Sequence, residues 1–357
     1  MVSNDYKNKS IAIICLSHYW GGMELDALKL AKAFNIKCKT VLICKDGSEL
    51  QNYAEAQGIP FRAVNFKTKL SVSLIWSLLN IFKEFYINNV IFLGTSEIKS
   101  IFFVKMIFRG GLKLAIRYGT TMGSSKKDPL HRIFYSCVNV HVGISQHIVE
   151  NIKKIIPVSP SSVVTRIYAG TDFLDVKMDG VERQKSIINV SRVVDGKGHK
   201  DLIIATKDIN INVYIVGGGE PEYIDELKSA IPASDVEKYH FTGYVEPTIV
   251  KNELWKHGLF VFPSYGEGLG NALVEALGAG LVCITYDNTV FKEFVELGFY
   301  IHIIPNGDVK KLNGKIKEIL DNYEFELSNA RKNIELAREV FSLESEIESY
   351  FLAMGVA

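Results

Sequence analysis

The sequence predicts an α/β protein with two domains, each containing a doubly wound parallel sheet. Three observations lead to this prediction. Short apolar runs alternate with segments of helical spacing along most of the chain, which is the pattern of βαβ units. Several of these runs end in glycine-rich turns that lead into a helix, as at Gly217 and Gly268. At 357 residues, with 47% apolar and 23% charged residues, the chain is long for a single core.

In the first half, apolar runs predict strands at 10–15, 40–44, 61–66, 90–93 and 113–116, and another strand that begins at Val140. Helical spacing predicts a helix after Gly21-Gly22, and further helices at 49–57, 70–85, 98–108 and 146–154. Ser145 stands where an N-cap for the last of these is expected.

In the second half, predicted strands lie at 186–190, 211–216, 259–262 and 281–285, and residues 239–245 are predicted to form a strand and the loop after it. Predicted helices begin at Lys200 and Pro221, and others span 272–277 and 341–354. Polar residues 175–185 have the composition of a linker. We therefore expect domains at 1–172 and 173–340, followed by a final segment at 341–357.

Charge is divided unevenly, although the net charge is only +1. Residues 1–170 contain 22 Lys and Arg against 10 Asp and Glu, and the rest of the chain contains 19 against 30. A basic half favours an anionic partner, such as nucleic acid or an anionic membrane. No module with stacking aromatics is evident, which argues against nucleic acid. Alternatively, the two halves simply attract each other.

The segment 99–117 combines basic with many apolar residues. This mixture suits a surface on anionic lipid, but a buried helix whose lysines extend to solvent explains it equally well. Five scattered cysteines without a CxxC pair indicate reduced thiols, and neither a cleavable leader nor a membrane-length apolar run is seen. We expect a cytoplasmic protein, with peripheral contact at the inner face of the cell membrane as one interpretation of the charge.

Residues 262–280 combine a strand end, a glycine-rich turn and a helix start. The first amides of a helix have no partner within it, so such a turn is suited to bind an anion. Glu267 and Glu275, with seven residues between them, flank this turn, and carboxylates are suited to accept hydrogen bonds from hydroxyls. Phosphate plus hydroxyls indicates a sugar nucleotide. The alternative is an ordinary turn with two solvated glutamates.

Two cations follow the first strand of the second half. Arg192 and Lys197 stand on a loop between a strand and a helix, where Arg can hold phosphate through a bidentate fork and Lys as a point charge. Gly217-Gly218 forms another glycine turn of the same kind. The alternative for the cations is a solvated pair.

The Glu-x7-Glu segment, with its form Glu-Gly-Leu-x-Asn-Ala-Leu-x-Glu-Ala, resembles the retaining glycosyltransferases of family 4, the glycosyl transferases group 1, which have the GT-B fold. The resemblance implies two Rossmann-like domains facing across a cleft, the first binding an acceptor and the second a nucleotide sugar. The final helix would then cross back to the first domain. It also implies retaining transfer of a hexose or N-acetylhexosamine, with UDP as the favoured nucleotide, in surface-polysaccharide (LPS, O-antigen or capsule) biosynthesis. The acceptor would be a saccharide or a lipid-linked saccharide.

The resemblance implies a catalytic set of Arg192, Lys197 and Glu267. It implies contact with the donor by Gly21, Gly22, Gly217, Gly218, Tyr244, Val245, Gly268, Leu269, Gly270, Asn271 and Glu275. No cofactor and no metal is expected, since the chain contains no Asp-x-Asp.

Two positions depart from the family pattern. No His stands near 117–120, so a catalytic contact from the first domain stays open, and Asp287-Asn288-Thr289 replaces a Gly-Gly pair. The alternatives to a transferase are a sugar-nucleotide epimerase of the same two-domain fold and a non-catalytic nucleotide-sugar-binding protein.

Overall fold

The computed structural model describes residues 6, 9–108, 111–174, 183–288 and 290–356. The chain divides into unit 1, residues 1–170 and 343–357, and unit 2, residues 171–342. Unit 2 is thus an insertion between two stretches of unit 1. Of the predicted linker, 175–182 lies outside the described residues, as does Thr289.

Unit 1 contains one parallel sheet. Its strands are β1 Ser10–Cys15, β2 Lys39–Lys45, β3 Phe61–Val64, β4 Asn89–Leu93, β5 Lys113–Tyr118, β6 Val140–Gly143 and β7 Val163–Arg166. Its first six helices are α1 Gly22–Lys37, α2 Glu49–Ala56, α3 Val72–Glu84, α4 Ile98–Ile107, α5 Pro129–Tyr135 and α6 Gln146–Ile155. All six residues of β1 are buried, as expected for a parallel strand covered by helices on both faces.

Local sequence fixes where several of these helices begin. Ser48, Ser71, Asp128 and Ser145 each accept a hydrogen bond from an amide in the first turn, at α2, α3, α5 and α6 respectively. The predicted cap at Ser145 is therefore confirmed, with Ile148 N donating to Ser145 Oγ at 3.3 Å.

Unit 2 contains a second parallel sheet. Its strands are β8 Gln184–Val190, β9 Asn212–Val216, β10 Tyr239–Gly243, β11 His257–Phe262, β12 Val282–Tyr286 and β13 His302–Ile304. Its helices are α7 His199–Thr206, α8 Pro221–Ser229, α9 Pro247–Leu254, α10 Asn271–Gly278, α11 Phe291–Glu296, α12 Val309–Asp321, α13 Tyr323–Arg331 and α14 Asn333–Phe341, with a short 3-10 helix at Ala233–Lys238.

The two sheets share one strand order up to the sixth strand, and unit 1 adds a seventh. The order is β3-β2-β1-β4-β5-β6-β7 in unit 1 and β10-β9-β8-β11-β12-β13 in unit 2, all parallel. In both, the winding direction reverses beside the first strand, between β1 and β4 and between β8 and β11. The prediction of two doubly wound parallel sheets is confirmed. In such sheets, ligands bind outside the carboxyl ends of the strands at this reversal.

The predicted single helix at 341–354 is wrong at its start. Phe341 ends α14, and its carbonyl accepts a hydrogen bond from Thr171 N at 2.8 Å. Ser342 is extended and pairs with Thr171 in a parallel bridge, so no helix continues through it. The last helix, α15, spans Leu343–Ala353 and packs on α1 within unit 1.

The stretch 117–120 also differs from its prediction, which placed it after a strand end. Arg117 and Tyr118 are the last residues of β5, and both are buried. Arg117 pairs with Asp26 of α1, with Nη2 and Oδ2 at 2.9 Å, and lies 3.6 Å from Glu346 of α15. The side chain at this position is therefore part of the interior of unit 1.

Candidate functional site

The loop between β8 and α7 packs directly on the loop after β9. Ser191 N donates to Val216 O at 3.0 Å, and Val193 N donates to Gly218 O at 2.8 Å. The fit requires glycine, because a Cβ at Gly217, which has φ +151°, would lie 1.8 Å from Ser191 O. The β8 loop, which carries Arg192 and Lys197, is thus held against the Gly217-Gly218 turn.

The loop after β10 joins the same group. Gly217 N donates to Gly243 O at 3.0 Å, and a Cβ at Gly218 would lie 3.5 Å from Tyr244 Cβ. Tyr244 is exposed and Val245 is half-buried. The structure therefore brings four of the predicted donor-binding residues together: Gly217, Gly218, Tyr244 and Val245.

On its other side, the β8 loop packs on the loop after β11. Tyr265 N donates to Gly196 O at 2.9 Å. Gly198, at φ +75°, lies so close to Pro263 that an added Cβ would be 2.0 Å from its carbonyl oxygen. Strands β8 and β11 are neighbours at the reversal of the sheet, and so the two loops meet at its ligand-binding position.

An ion pair joins these two loops. Lys197 Nζ lies 2.5 Å from Glu267 Oε1, and the side chains are 21% and 13% exposed. Ser264 Oγ donates to the same carboxylate oxygen at 2.8 Å. Two of the three predicted catalytic side chains are therefore in contact at the switch point of the sheet.

Arg192 is placed differently. It stands on the same loop but is exposed, and it forms no ion pair with a residue of the described chain. Arg192 therefore lies at the surface of the same loop, outside the Lys197–Glu267 pair.

The start of α10 supplies backbone donors. Gly270 is the N-cap at φ +86°, Leu269 is buried beneath the turn, and Asn271 is the exposed first residue of the helix. Gly268 and Gly270 lie in the loop that carries Glu267. Amides at this helix start carry the positive end of the helix dipole.

Glu275 lies one turn further into α10 and is half-buried. It borders a small cleft of unit 2 together with residues 172–174, Lys251 and Trp255. Among the described residues, no group of three or more His, Cys, Asp or Glu could hold a metal ion.

Beneath the β8 loop lies a histidine that the sequence did not single out. His199, the first residue of α7, is buried, and its Nε2 lies 3.1 Å from Ser191 Oγ. Burial, with Lys197 nearby, lowers the pKa of His199 to about 4. The ring is therefore neutral near pH 7 and supports the loop without adding charge.

In unit 1, the two remaining predicted residues stand at the head of α1. Gly21 is its extended N-cap and Gly22 its first residue. An added Cβ at Gly22 would meet nothing within 4 Å. This turn is therefore open, in contrast to the tight glycine contacts of unit 2.

Two doubly wound parallel sheets with matching strand order are the architecture of the GT-B fold. The whole chain resembles HepE of Anabaena in complex with UDP and glucose, with a TM-score of 0.81, 16% identity and coverage of 98% of this chain and 100% of HepE. A glycosyltransferase of Rickettsia africae ESF-5 gives a TM-score of 0.84 at 15% identity, covering 98% of each chain. At these identities the likeness establishes the fold.

Residues 173–338 match the family model described as Glycosyl transferases group 1. This range lies within unit 2, which therefore belongs to that family, and the suspected resemblance is confirmed. The chain is also 27% identical over 171 residues to CapM of Staphylococcus aureus, a capsular polysaccharide biosynthesis glycosyltransferase. That match covers 45% of this chain and 44% of CapM, less than half of either protein.

Proposed function

We propose that this protein is a retaining, metal-independent hexosyltransferase of surface-polysaccharide biosynthesis. It moves a hexose or N-acetylhexosamine from a nucleotide sugar to a saccharide or lipid-linked saccharide. UDP is the favoured nucleotide, which is supported by the fold's likeness to HepE, a protein described in complex with UDP and glucose. The polysaccharide context is supported by the similarity to CapM.

The observation that carries this proposal is the Lys197–Glu267 pair at 2.5 Å. The pair places an ammonium group beside a carboxylate on the loops that follow β8 and β11, which are neighbouring strands of the sheet. An ammonium group is suited to a diphosphate, and a carboxylate to the hydroxyls of a sugar. A nucleotide sugar contains a diphosphate and a sugar with hydroxyls, and the bond between the two is the one that is broken during transfer.

Negative charge grows on the diphosphate as the glycosidic bond breaks. Lys197, Arg192 and the amides at 268–271 would stabilise that charge. Glu267 would hold the sugar and Glu275 the ribose. The family's retaining chemistry needs no protein nucleophile, because the leaving phosphate takes the acceptor's proton on the same face of the sugar.

Unit 1 is proposed to bind the acceptor, with Gly21 and Gly22 at the open turn before α1. It is also proposed to rest on the cytoplasmic face of an anionic membrane. In the described part of the chain, no helix is both long and apolar enough to cross a bilayer.

Three neighbouring helices of unit 1 support the membrane contact. Helix α3 packs on α4, and α4 packs on α5. Their large exposed apolar side chains are Val72, Trp76, Phe103, Met106, Ile107, Leu130 and Ile133. Lys99 lies over the ring of Phe134 at 5.6 Å, between α4 and α5. By contrast, β5 is buried apart from Lys113, so the large exposed apolar side chains of the described part of 99–117 lie on α4.

A vesicle assay tests this contact. Wild-type protein is expected to sediment with phosphatidylglycerol vesicles and not with phosphatidylcholine vesicles, and less so at high salt. Trp76→Ser with Met106→Ser, which are 62% and 67% exposed, should weaken binding about tenfold or more. Leu352→Ser on α15, 75% exposed, is the matched control. Dimerisation in light scattering without vesicle binding would instead identify a self-association face.

A donor assay tests the enzymatic proposal. Purified protein is incubated with UDP-glucose, UDP-galactose, UDP-N-acetylglucosamine or GDP-mannose in the presence of EDTA, and release of free nucleotide is measured. One donor is expected to be consumed, and Glu267→Gln should abolish most of the turnover while the melting temperature stays close to that of wild type. Activity that needs added metal, or full activity of Glu267→Gln, would refute the site.

Product analysis separates the alternatives. NMR of the products should show a sugar released or transferred with its original anomeric configuration. An epimerised nucleotide sugar would identify an epimerase instead. Nucleotide binding without any turnover, for every donor and for a lipid-linked acceptor fraction, would identify a binding protein.

A further inference from the structure

One carboxylate oxygen in unit 2 receives two tyrosine hydroxyls. Asp201 Oδ2 accepts from Tyr265 OH at 2.6 Å and from Tyr286 OH at 2.7 Å. The three residues, which we call the Asp201 clamp, come from the first turn of α7, the loop after β11 and the end of β12. The two rings meet edge to face, with centroids 5.4 Å apart.

The two tyrosines have different surroundings. Tyr286 is fully buried, so its hydroxyl needs a partner within the protein, and Asp201 is that partner. Tyr265 is 46% exposed, so water could serve its hydroxyl equally well. A hydroxyl bonded to a carboxylate is nonetheless shorter and stronger than one bonded to a neutral acceptor. The Tyr265 bond therefore restrains the loop rather than filling the core.

Tyr265 is restrained at two points. Its backbone N donates to Gly196 O, next to Lys197, at 2.9 Å. Its hydroxyl reaches the helix that follows the same loop. Glu267 stands two residues further along. The clamp thus fixes the β11 loop against the β8 loop next to the Lys197–Glu267 pair.

Both hydroxyls stay donors throughout the neutral range. The hydrogen bond to Asp201, and then burial, raise the pKa of Tyr265 to about 12. Burial, followed by the bond to Asp201, raises the pKa of Tyr286 well above its usual value. The clamp therefore keeps its hydrogen bonds at any pH at which the enzyme is expected to work.

We propose that Asp201 and Tyr265 are positioning residues that determine how strongly the site prefers a nucleotide sugar over the nucleotide alone. This inference rests on the proposed function, in which Glu267 holds the sugar. Loss of the Tyr265 bond lets the β11 loop move relative to Lys197. Contacts of Glu267 to the sugar then weaken, while the base contacts on the β9 and β10 loops and the ribose contact of Glu275, which lies within α10, persist.

Titration calorimetry tests the inference with UDP and with the UDP sugar that proves active, both in EDTA. Tyr265→Phe removes only the hydroxyl. It should change the Kd for UDP by less than about twofold and raise the Kd for the UDP sugar about tenfold. A tenfold change is the usual scale for losing one charge-assisted hydrogen bond. Asp201→Ala should act alike, and Asp201→Asn, which keeps an acceptor oxygen, should recover part of the loss.

Tyr286→Phe is the matched control, because it removes a hydroxyl bond to the same oxygen from a strand instead of the loop. It should lower the melting temperature but keep the ratio of the two Kd values. The double variant Tyr265→Phe with Asp201→Ala should be no worse than either single variant.

If Tyr265→Phe leaves the ratio of the two Kd values unchanged, or if Tyr286→Phe changes it equally, the positioning role of the clamp is wrong and the proposed function is unaffected. Failure of the wild-type protein to bind any nucleotide sugar would overturn the proposed function together with it.

Discussion

Units 1 and 2 have the same strand order up to the sixth strand, but their charged residues lie in different places. In unit 1, the acidic residue Asp26 of α1 is buried and paired with the buried Arg117. In unit 2, Lys197 and Glu267 pair at the loop surface, and both remain partly exposed. One pair therefore stabilises an interior, and the other is accessible to a ligand.

The difference extends to the backbone and to net charge. In unit 2, Gly198 of the β8 loop and Gly217 of the β9 loop lie against neighbouring carbonyls, whereas the turn before α1 has open space around Gly22. Unit 1 carries 22 Lys and Arg against 13 Asp and Glu, and unit 2 carries 19 against 27. The two units thus share strand order but differ in their loops. The proposed phosphate site of unit 2 depends on close loop packing and an accessible cation as well as on strand order.

The largest effect is expected from Arg117→Met. It leaves the carboxylates of Asp26 and Glu346 buried without their guanidinium, which should cost about 3–5 kcal/mol of unfolding free energy. Arg62→Met is the control, because Arg62 pairs with Glu84 at the surface, where such pairs contribute under about 1 kcal/mol. Urea unfolding measures both, and equal losses would contradict the contrast between a buried and an exposed pair.

Lys197→Met should lower the transfer rate about 10²–10³-fold, the usual scale for losing one preorganised charge-stabilising group. The matched control is Lys200→Met, three residues along, where Lys200 pairs with Glu226 at 2.6 Å on the surface. Initial rates at saturating donor distinguish the two. Similar rates for both variants would show that the cation of the β8 loop has no special role.

The stability of the two units should respond differently to acid. Burial lowers the pKa of His199 and His257 in unit 2, and of His141 in unit 1, from 6.5 to about 4. Each histidine is protonated more readily in the unfolded chain. Its contribution to the free energy of unfolding is therefore complete above pH 6.5 and is lost as the pH falls toward 4. The loss between pH 7 and pH 5 is about 2 kcal/mol for each histidine.

The contribution of Glu346 to the stability of unit 1 has the opposite pH dependence. Burial raises its pKa from 4.5 to about 7 despite Arg117, so its contribution is complete below pH 4.5 and is lost as the pH rises through 7. Unit 1 should therefore nearly hold its stability between pH 7 and pH 5 while unit 2 weakens. Hydrogen exchange resolved by peptide tests this, with Glu346→Gln as the control that removes the compensation. Equal weakening of both units in the wild type would be inconsistent with it.

The smallest effect concerns glycine. Gly217→Ala would force a Cβ against Ser191 O and should cost about 1–3 kcal/mol. Gly22→Ala, at the open turn of unit 1, should change stability by less than about 0.5 kcal/mol. Thermal unfolding compares them, and a harmless Gly217→Ala would mean that the β8 and β9 loops can separate.

Much of the fold could be predicted from the sequence because buried parallel strands are short apolar runs. The first strand was predicted at 10–15, its observed bounds. Strand β7 was missed, since Val163–Arg166 is only partly buried and lacks such a run. The break at Ser342 was also missed, because it depends on Thr171, which is far away in sequence.

The site was predicted in parts. Sequence motifs pointed to Lys197 and Glu267. Their contact, however, depends on β8 lying beside β11, and the hydrophobic pattern of a sequence does not show which strands are neighbours in the sheet. The Asp201 clamp had no sequence signal, since its partners lie 64 and 85 residues away. Polar contacts between distant loops carry no periodicity that could be recognised beforehand.

The bridge between Thr171 and Ser342 has a consequence for how such proteins can evolve and be engineered. The ends of the inserted unit lie side by side, with Thr171 N and Phe341 O 2.8 Å apart. A gene fragment encoding 171–342 can therefore be excised or exchanged as one cassette, and a short splice would reconnect 170 to 343. Under the proposed function, a single recombination event would then transfer donor specificity from one chain to another and leave the proposed acceptor-binding unit unaltered.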